Sequence, residues 1–184
     1  MHIQPLPIIG AFELQSAIYS DNRGNFREWF KESELREIDP LVSFKQSNIS
    51  VSKKNTIRGI HYSLDGSGQS KLVTCLRGSI LDVAVDIRPS SITFGQYVVV
   101  ELNAEAGNSI YLSGDLGHAF IALEEDSVVS YLLSSEYNAP HEHGISPFDP
   151  TINIYWPPGE YVLSKKDEDA PSLLQQYEAG LLPK

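Results

Sequence analysis

Cysteine, long apolar runs and excess basic charge are scarce or missing in this sequence of 184 residues. The only cysteine, Cys75, excludes an internal disulfide and a zinc site built from cysteines, so we expect a buried structural thiol. No apolar run approaches the roughly 18 residues that a membrane-spanning helix needs. The first residues, MHIQPLPIIGAF, have neither the basic start nor the apolar stretch of a signal peptide, which predicts a cytoplasmic protein.

Acidic residues outnumber basic ones: 14 Lys and Arg against 24 Asp and Glu give a formal net charge of −10. A chain with this charge is a poor general binder of nucleic acid or of an anionic membrane, so neither is expected as a partner. The charge is uneven, however, because six basic residues and only three acidic ones lie between Lys53 and Arg88. This distribution favours a small anionic ligand held at a local basic site.

The sequence predicts a single all-β domain over residues 1–184, because it contains no repeat, no low-complexity segment and no linker. Helical patterns are confined to residues 30–38 and 172–183, where Ser172 and Gly180 are the expected caps. Elsewhere short strands alternate with turns every 8–12 residues, which is typical of a sandwich, barrel or jelly roll. The segment 71–91 alternates well, with Leu81, Val83, Val85 and Ile87 on one face and Asp82, Ala84 and Asp86 on the other.

Two hairpins are predicted from their turns. The sequence LDGSGQS separates the strand of His61 from the strand that begins at Lys71, so these side chains could face each other on neighbouring strands. EEDS is the second expected turn. A strand histidine is more often structural than catalytic, but a buried lysine is costly unless it has a partner. A Lys–His pair that faces a cavity therefore indicates function.

Arg58 and His61 pose a geometric problem in the strand IRGIHYS. Strict alternation places them on opposite faces, so both reach one site only if the strand twists or bulges, which Gly59 permits. Two tyrosines, Tyr131 in a strand and Tyr137 just after it, suit either packing or a site. Asp167 near the start of the last helix suits either a charge that stabilises the helix N-terminus or a site residue.

Seven segments occur in one order across nearly the whole chain: DNRGNFREWF, QSNISVS, RGIHYS, QSKLVTCLRGSILDVAVDIRPSSITFG, YLSGDLGHAF, EYNAPHEHGISPFDP and LSKKDEDAP. Together they resemble the dTDP-4-dehydrorhamnose 3,5-epimerase family, whose members act on sugar nucleotides. The resemblance implies a cupin-like jelly-roll barrel with short flanking helices, and a homodimer in which a strand near the N-terminus is contributed to the partner subunit. The expected substrate is a dTDP-4-keto-6-deoxyhexose.

The resemblance also implies roles for individual residues. His61 matches the general base of the RG-[LI]-HY motif, and Asp167 of the LS-x-KD motif pairs with it. Lys71 matches the lysine that stabilises the enolate, and Tyr131 matches the general acid. The implied substrate contacts are Arg23, Phe26, Glu28, Gln46, Asn48, Arg58, His118 and Tyr137. The sequence departs from the family where Ser63 replaces a frequent Gln, where Ala119 replaces Gly, and where PFDP replaces WNDP, and these changes concern substrate specificity.

These residue types suit proton transfer next to a ketone. An imidazole titrates near neutrality, so it can remove a C–H proton, and a carboxylate on its second nitrogen stabilises the imidazolium. An ammonium opposes the charge on the enolate oxygen, an effect of several kcal/mol, and an acid on the opposite face completes inversion. An arginine can grip the diphosphate. This chemistry has no redox step, so we expect no cofactor and no metal.

Three alternatives stay open. The enzyme could invert only C3 or only C5. It could be a metal-dependent cupin, because HEHG places His141 and His143 two residues apart, although the flanking sequence predicts a loop. It could also be a jelly roll that binds a sugar nucleotide without catalysis, in which case the presence of all four candidate catalytic residues would be accidental.

Overall fold

The computed structural model describes residues 1–184 and is built mainly from strands. The strands are β1 (His2–Pro5), β2 (Ala11–Gln15), β3 (Ile18–Asp21), β4 (Gly24–Arg27), β5 (Gln46–Ser52), β6 (Ile57–Ser63), β7 (Lys71–Arg77), β8 (Ser79–Asp86), β9 (Tyr97–Asn103), β10 (Asn108–Leu112), β11 (Leu116–Ala122), β12 (Ser127–Leu133) and β13 (Glu142–Gly144). The helices are α1 (Glu32–Leu35), α2 (Lys165–Glu168) and α3 (Leu173–Glu178), with a 3-10 turn at Ala139–His141. None of the helices has the length and apolar character that crossing a membrane requires.

Two antiparallel sheets form the body of the molecule. The six-stranded sheet has the order β1-β2-β10-β7-β12-β5, and the five-stranded sheet has the order β13-β6-β11-β8-β9. Strands β3 and β4 form a separate two-stranded ribbon. From β5 to β8 successive strands alternate between the two large sheets, and β10 to β13 do the same, which is the pattern of a jelly roll. The all-β prediction is confirmed.

Both predicted hairpins are wrong. Strand β6 pairs with β11 and β13, whereas β7 pairs with β10 and β12, so the turn after His61 carries the chain from one sheet to the other. Strands β11 and β12 are likewise in different sheets. The turn residues determine that the chain reverses, but the partner of each strand depends on which apolar faces pack together across the whole domain.

The core has three parts, because each large sheet is covered on its outer face as well. The inner part lies between the sheets and contains Cys75, which is fully buried as expected. The C-terminal segment covers the five-stranded sheet with Ile152, Trp156 and Leu173. Residues of the segment 29–44 cover the six-stranded sheet around Leu35. These layers bury both faces of the central strands, which keeps the inner face rigid enough to support a site.

Strand β8 alternates as the sequence predicts. Val83 and Val85 pack in the outer core of the five-stranded sheet, while Ala84 packs between the two sheets. Asp82 and Asp86 share the inner face with Ala84 and are fully buried. Two carboxylates on a buried strand face need partners, and Asp86 receives hydrogen bonds from Arg88 and two neighbouring hydroxyl groups.

The helices are shorter than the sequence patterns suggest. The pattern over 30–38 yields only the four residues of α1, whose first residue follows Lys31 without a side-chain cap. Helix α3 begins after Ser172 in a reciprocal capping box with Gln175, so the predicted N-cap is observed. The C-cap is Ala179, and Gly180, the predicted C-cap, follows it at φ +68°. Asp167, expected near the start of the last helix, lies instead in the separate helix α2.

Candidate active site

A cavity of about 260 Å³ opens between the two large sheets. The five-stranded sheet lines one wall with Arg58, His61, His118, Phe120 and Glu142. The six-stranded sheet lines the other wall with Gln46, Asn48, Lys71, Tyr131 and Leu133. Gln69, Tyr137 and Lys166 complete the lining. A ligand in this space is therefore held between two different sets of polar groups.

A bulge in β6 allows Arg58 and His61 to reach the same cavity. Strand β11 pairs His118 with His61 and Phe120 with Arg58, so two steps on β11 correspond to three on β6. Gly59 lies in the extra step at φ +118°, where a Cβ atom would lie 2.5 Å from the His118 carbonyl oxygen. Only glycine fits this position without displacing β11. The bulge that the sequence requires is thus present.

His61 and Asp167 form a directly bonded pair. The distance from His61 Nε2 to Asp167 Oδ1 is 2.6 Å, and Ser164 Oγ donates to Asp167 Oδ2 at 2.9 Å. Burial by itself raises the pKa of Asp167, but the bonds from His61 and Ser164 outweigh it and lower that pKa below 3.8. The carboxylate stays ionised, and it holds the imidazole with Nδ1 free to accept a proton.

Lys71 enters the cavity from the opposite sheet and is only 7% exposed. Its ammonium has a single long hydrogen bond, 3.5 Å from Nζ to the Gln69 carbonyl oxygen. Burial lowers the pKa of Lys71 to about 8, while the negative charges of Glu142 and Asp82 partly oppose that change. A lysine with so few partners is available to a negatively charged ligand atom.

Tyr131 lies on the same wall as Lys71. In the pairing of β12 with β7, Tyr131 is opposite Val73 and Leu133 is opposite Lys71, so Tyr131 and Lys71 face the cavity together. His61 belongs to the other sheet. The cavity therefore has an imidazole on one side and a phenol with an ammonium on the other, as removal and return of a proton on opposite faces of a ring require.

Most of the residues expected at the site line this one cavity. Of the substrate contacts implied by the sequence, it collects Gln46, Asn48, Arg58, His118 and Tyr137. Gln46 connects two of them, because Nε2 donates to Asn48 Oδ1 at 2.9 Å and Oε1 accepts from the Tyr137 amide at 2.8 Å.

Three expected contacts are elsewhere in the chain. Arg23 and Phe26 lie on the ribbon of β3 and β4, and Glu28 follows it; none of the three lines the cavity. Phe26 is 64% exposed, and Arg23 pairs only with the adjacent Asp21 at 2.6 Å. Within one copy of the chain, the ribbon does not contribute to the cavity wall.

Sequence reasoning missed three polar residues of the lining: Gln69, Glu142 and Lys166. Gln69 and Lys166 lie inside the motifs QSK and LSKKD, in which Lys71 and Asp167 are the residues with an expected role. Glu142 lies in HEHG, in which only the histidines suggest a function. An acidic residue between two histidines in a short strand was the available signal.

A second cavity of about 340 Å³ adjoins the first. Arg58, His61 and Lys166 line both, and the second also reaches Lys53 and Asp167. The imidazole is thus accessible from two sides. Arg58 and Lys166 are cationic at the junction, with Lys71 in the first cavity and Lys53 in the second. Lys53, Arg58 and Lys71 belong to the basic stretch between Lys53 and Arg88, which agrees with the local basic site that the charge distribution predicts.

The histidines of HEHG have other surroundings. His143 lies in β13, where its ring stacks on Tyr62 with centroids 5.6 Å apart, and His141 ends the 3-10 turn. The expected loop contains this short strand, which pairs with β6. No group of three or more His, Cys, Asp or Glu side chains is arranged to hold a metal ion.

Comparison with known proteins places this geometry in a family. Residues 5–175 match the family model described as dTDP-4-dehydrorhamnose 3,5-epimerase. The chain belongs to this family. Membership in the dTDP-4-dehydrorhamnose 3,5-epimerase family confirms the predictions of an isomerase of the epimerase class and of a cupin-like fold.

Relatives of the family differ in the reaction that their names give. The chain is 43% identical to a dTDP-4-dehydrorhamnose 3,5-epimerase of Mycolicibacterium smegmatis, covering 100% of this chain and 91% of that one. It is 41% identical to a dTDP-4-dehydro-6-deoxyglucose 3-epimerase of Streptomyces bikiniensis, covering 98% and 93%. The structure of the rmlC epimerase of Mycobacterium tuberculosis superposes with a TM-score of 0.97 at 40% identity, covering 100% of this chain and 94% of that one.

Proposed function

We propose that this chain inverts C3 and C5 of dTDP-4-keto-6-deoxy-D-glucose and forms dTDP-4-keto-L-rhamnose without a cofactor, in dTDP-rhamnose or deoxysugar biosynthesis. The observation that carries the proposal is the cavity with a His–Asp pair on one wall and a tyrosine with a buried lysine on the other. We take residues 1–184 as one epimerase domain, since the family match spans 5–175.

The first step is removal of a proton next to the ketone. His61 Nδ1 accepts the proton, because Nε2 is held by Asp167 at 2.6 Å. Asp167 stabilises the imidazolium that forms and keeps the ring in the orientation that exposes Nδ1. The electron pair of the broken C–H bond moves into the enolate, so the negative charge collects on the C4 oxygen.

The second step returns a proton to the opposite face. Lys71 stabilises the enolate oxygen, because a preorganised ammonium in a cavity poor in water opposes charge strongly. Tyr131 donates its phenolic proton to the carbanion carbon from the six-stranded sheet. Exchange with water then restores neutral His61 and protonated Tyr131, and the second carbon reacts in the same way.

The nucleotide is bound by the polar rim of the cavity. Arg58 offers paired N–H donors to the diphosphate, and Lys166 adds a second positive charge at the junction of the two cavities. Tyr137 is 64% exposed at the mouth, where its ring can stack on the base. Gln46 and Asn48 present amide groups beside it.

The enzyme acts as a homodimer in which the N-terminal ribbon of one copy reaches the cavity of the other. Support comes from the exposed aromatic pair Tyr19 and Phe26 on the ribbon, and from the absence of Arg23 from the lining of the cavity in its own chain. A C2 dimer exchanges the two ribbons reciprocally, so each site receives one.

Mixing of two inactive variants tests the ribbon exchange. In a 1:1 mixture of His61→Ala and Arg23→Ala that is unfolded and refolded together, half of the dimers are mixed, and each has one intact site. About a quarter of the wild-type activity should return. A mixture without recovered activity, from variants that form dimers on size-exclusion chromatography with light scattering, shows that the ribbon serves its own chain. Full activity of Arg23→Ala alone shows that the ribbon serves no site.

Proton NMR of dTDP-4-keto-6-deoxyglucose with the enzyme in deuterium oxide tests the reaction. We expect deuterium at both C3 and C5, lost in His61→Ala and retained in His141→Ala, whose histidine lies outside the cavity lining. Deuterium at C3 alone is the outcome for a 3-epimerase, the reaction in the name of the Streptomyces bikiniensis relative. Absence of exchange at both carbons refutes the proposal for this substrate.

A further inference from the structure

Asp82 is a fully buried carboxylate on the inner face of β8. Its Oδ2 lies 2.9 Å from Nε2 of His118, which is itself 8% exposed. Its Oδ1 is buried and has no hydrogen-bond partner. A buried carboxylate with one unsatisfied oxygen is costly, so it is expected where its charge has a use.

The Asp82–His118 pair lies beside the His61–Asp167 pair. His118 is directly opposite His61 in the pairing of β11 with β6, and both imidazoles line the same cavity. Each ring has its Nε2 at a carboxylate and its Nδ1 unbonded to protein. The inner wall of the five-stranded sheet therefore carries two imidazole–carboxylate pairs side by side.

We propose that Asp82 is a positioning residue for the epimerisation put forward above: it holds His118 as the Nε2–H tautomer and supplies negative charge that keeps the Lys71 ammonium protonated. This inference rests on the proposed function. His118 then presents the Nδ1 lone pair to a hydroxyl group of the sugar. Lys71 stays charged where the enolate oxygen forms.

The tautomer follows from the acceptor character of the carboxylate. An ionised Asp82 offers no proton, so the 2.9 Å contact requires the proton on His118 Nε2. The neutral ring is then an acceptor at Nδ1, which suits a sugar hydroxyl and not a ketone oxygen. Without Asp82, His118 could carry its proton on either ring nitrogen, and the sugar hydroxyl would lose a fixed acceptor.

The charge of Lys71 depends on the groups around it. Burial lowers its pKa to about 8, and the carboxylates of Glu142 and Asp82 raise it toward the ordinary value. Asp82 is not part of the cavity lining; it lies behind His118, which lines the cavity together with Lys71. The other charged and titratable groups of the lining are Arg58, His61, Tyr131, Tyr137, Glu142 and Lys166. Removal of one of the two negative charges makes protonation of Lys71 harder.

The test combines NMR and kinetics on the full chain. Histidine ¹⁵N shifts of the wild type report the tautomer of His118, assigned with His118→Asn. Titration of the ¹³Cε signal of Lys71, assigned with Lys71→Arg, reports its pKa in the wild type, Asp82→Asn and Asp82→Glu. Glu101→Gln is the matched control, because it removes one exposed carboxylate from β9 of the same sheet.

In Asp82→Asn the pKa of Lys71 should fall by about one pH unit, the smallest effect typical of a nearby opposite charge. The charged fraction at pH 8 then falls from about one half to one tenth, so kcat should fall about fivefold at pH 8 and much less at pH 6. KM should also rise as His118 loses its fixed tautomer. Asp82→Glu should restore part of the Lys71 pKa, and Glu101→Gln should match the wild type.

Two outcomes overturn the inference. One is a wild-type His118 without a proton on Nε2, a measurement that needs no folded variant. The other is a Lys71 pKa that is the same in the wild type and Asp82→Asn, whatever the activity. Because both readouts are independent of turnover, an enzyme inactive on the keto sugar would refute the proposed function without deciding the role of Asp82.

Discussion

Replacement of Lys71 by methionine should stabilise the protein at neutral pH while it abolishes catalysis. Lys71 is 7% exposed, and burial lowers its pKa from 10.5 to about 8. At about 1.36 kcal/mol for each pH unit, burial of the charged form costs about 3 kcal/mol. Methionine has a similar length and no charge, so Lys71→Met removes this cost and also removes the ammonium that we propose stabilises the enolate.

The pH dependence gives the sharper test. Between about pH 8 and 10.5 the folded protein has released the Lys71 proton and the unfolded chain has not, so wild-type stability rises across this interval. Below pH 8 both states hold the proton and the full cost is present. The advantage of Lys71→Met should therefore be largest at pH 7 and should shrink by about 3 kcal/mol by pH 10.5.

Urea unfolding of both proteins at pH 7 and at pH 10.5 measures this difference, since titration of all other groups is common to the pair. Lys54→Met is the control, because Lys54 is exposed and its replacement should give the same small difference at both pH values. A difference between wild type and Lys71→Met that does not change with pH would refute the assignment of Lys71 as a costly buried cation.

Three further predictions follow from the site and the core. Gly59→Ala should lower the free energy of unfolding, measured in urea, by about 2–4 kcal/mol, because φ is +118° and the new Cβ meets the β11 backbone. Gly24→Ala is the control: Gly24 also has a positive φ but has open space around it, so its loss of stability measures the cost of the positive φ without the clash. Asp167→Asn should lower kcat at least about 100-fold. Its stability deficit should disappear in urea unfolding as pH falls through the folded-state pKa, which lies below 3.8, because the carboxylate stabilises the fold only while ionised. Leu173→Ala should cost about 2–5 kcal/mol with kcat unchanged at a temperature where it is folded, since Leu173 is fully buried on the outer face of the five-stranded sheet. A large kcat loss in Leu173→Ala, or none in Asp167→Asn, would contradict the division between core and site.

The stability of Lys71→Met also bears on the unsatisfied polar atoms at the cavity. One buried oxygen of Glu142, in the cavity lining, and one of Asp82, behind His118, lack hydrogen-bond partners. Groups placed for a substrate cannot satisfy one another without losing the substrate, so the free enzyme is less stable than an apolar interior would make it.

Local patterns in the sequence were sufficient for the element types and for several details. Alternation predicted the two faces of β8, and the residue pair Ser172 and Gly180 predicted the limits of α3. The presence of Arg58 and His61 in one strand required a bulge, and Gly59 marked its position. These features depend on neighbouring residues, whose steric and hydrogen-bonding preferences act within a few positions.

Strand partners could not be obtained in this way. The turn between His61 and Lys71 predicted a hairpin, but β6 and β7 belong to opposite sheets. Their side chains meet across the cavity because both outer faces are covered by distant segments, 29–44 and 145–182. Which faces become buried depends on the total apolar surface of the domain, and no local window contains that information.

By itself the sequence determined an all-β chain, and its charge distribution predicted a small anionic ligand. Its ordered motifs identified the family and predicted the residues of the site. Only the tertiary structure placed His61 and Lys71 on opposite walls, joined Asp82 to His118, and separated Arg23 from the cavity. The physical reason is that the steric and hydrogen-bonding preferences of residues act on near neighbours in the chain. A site is assembled from side chains that are distant in sequence and meet only when both sheets have packed.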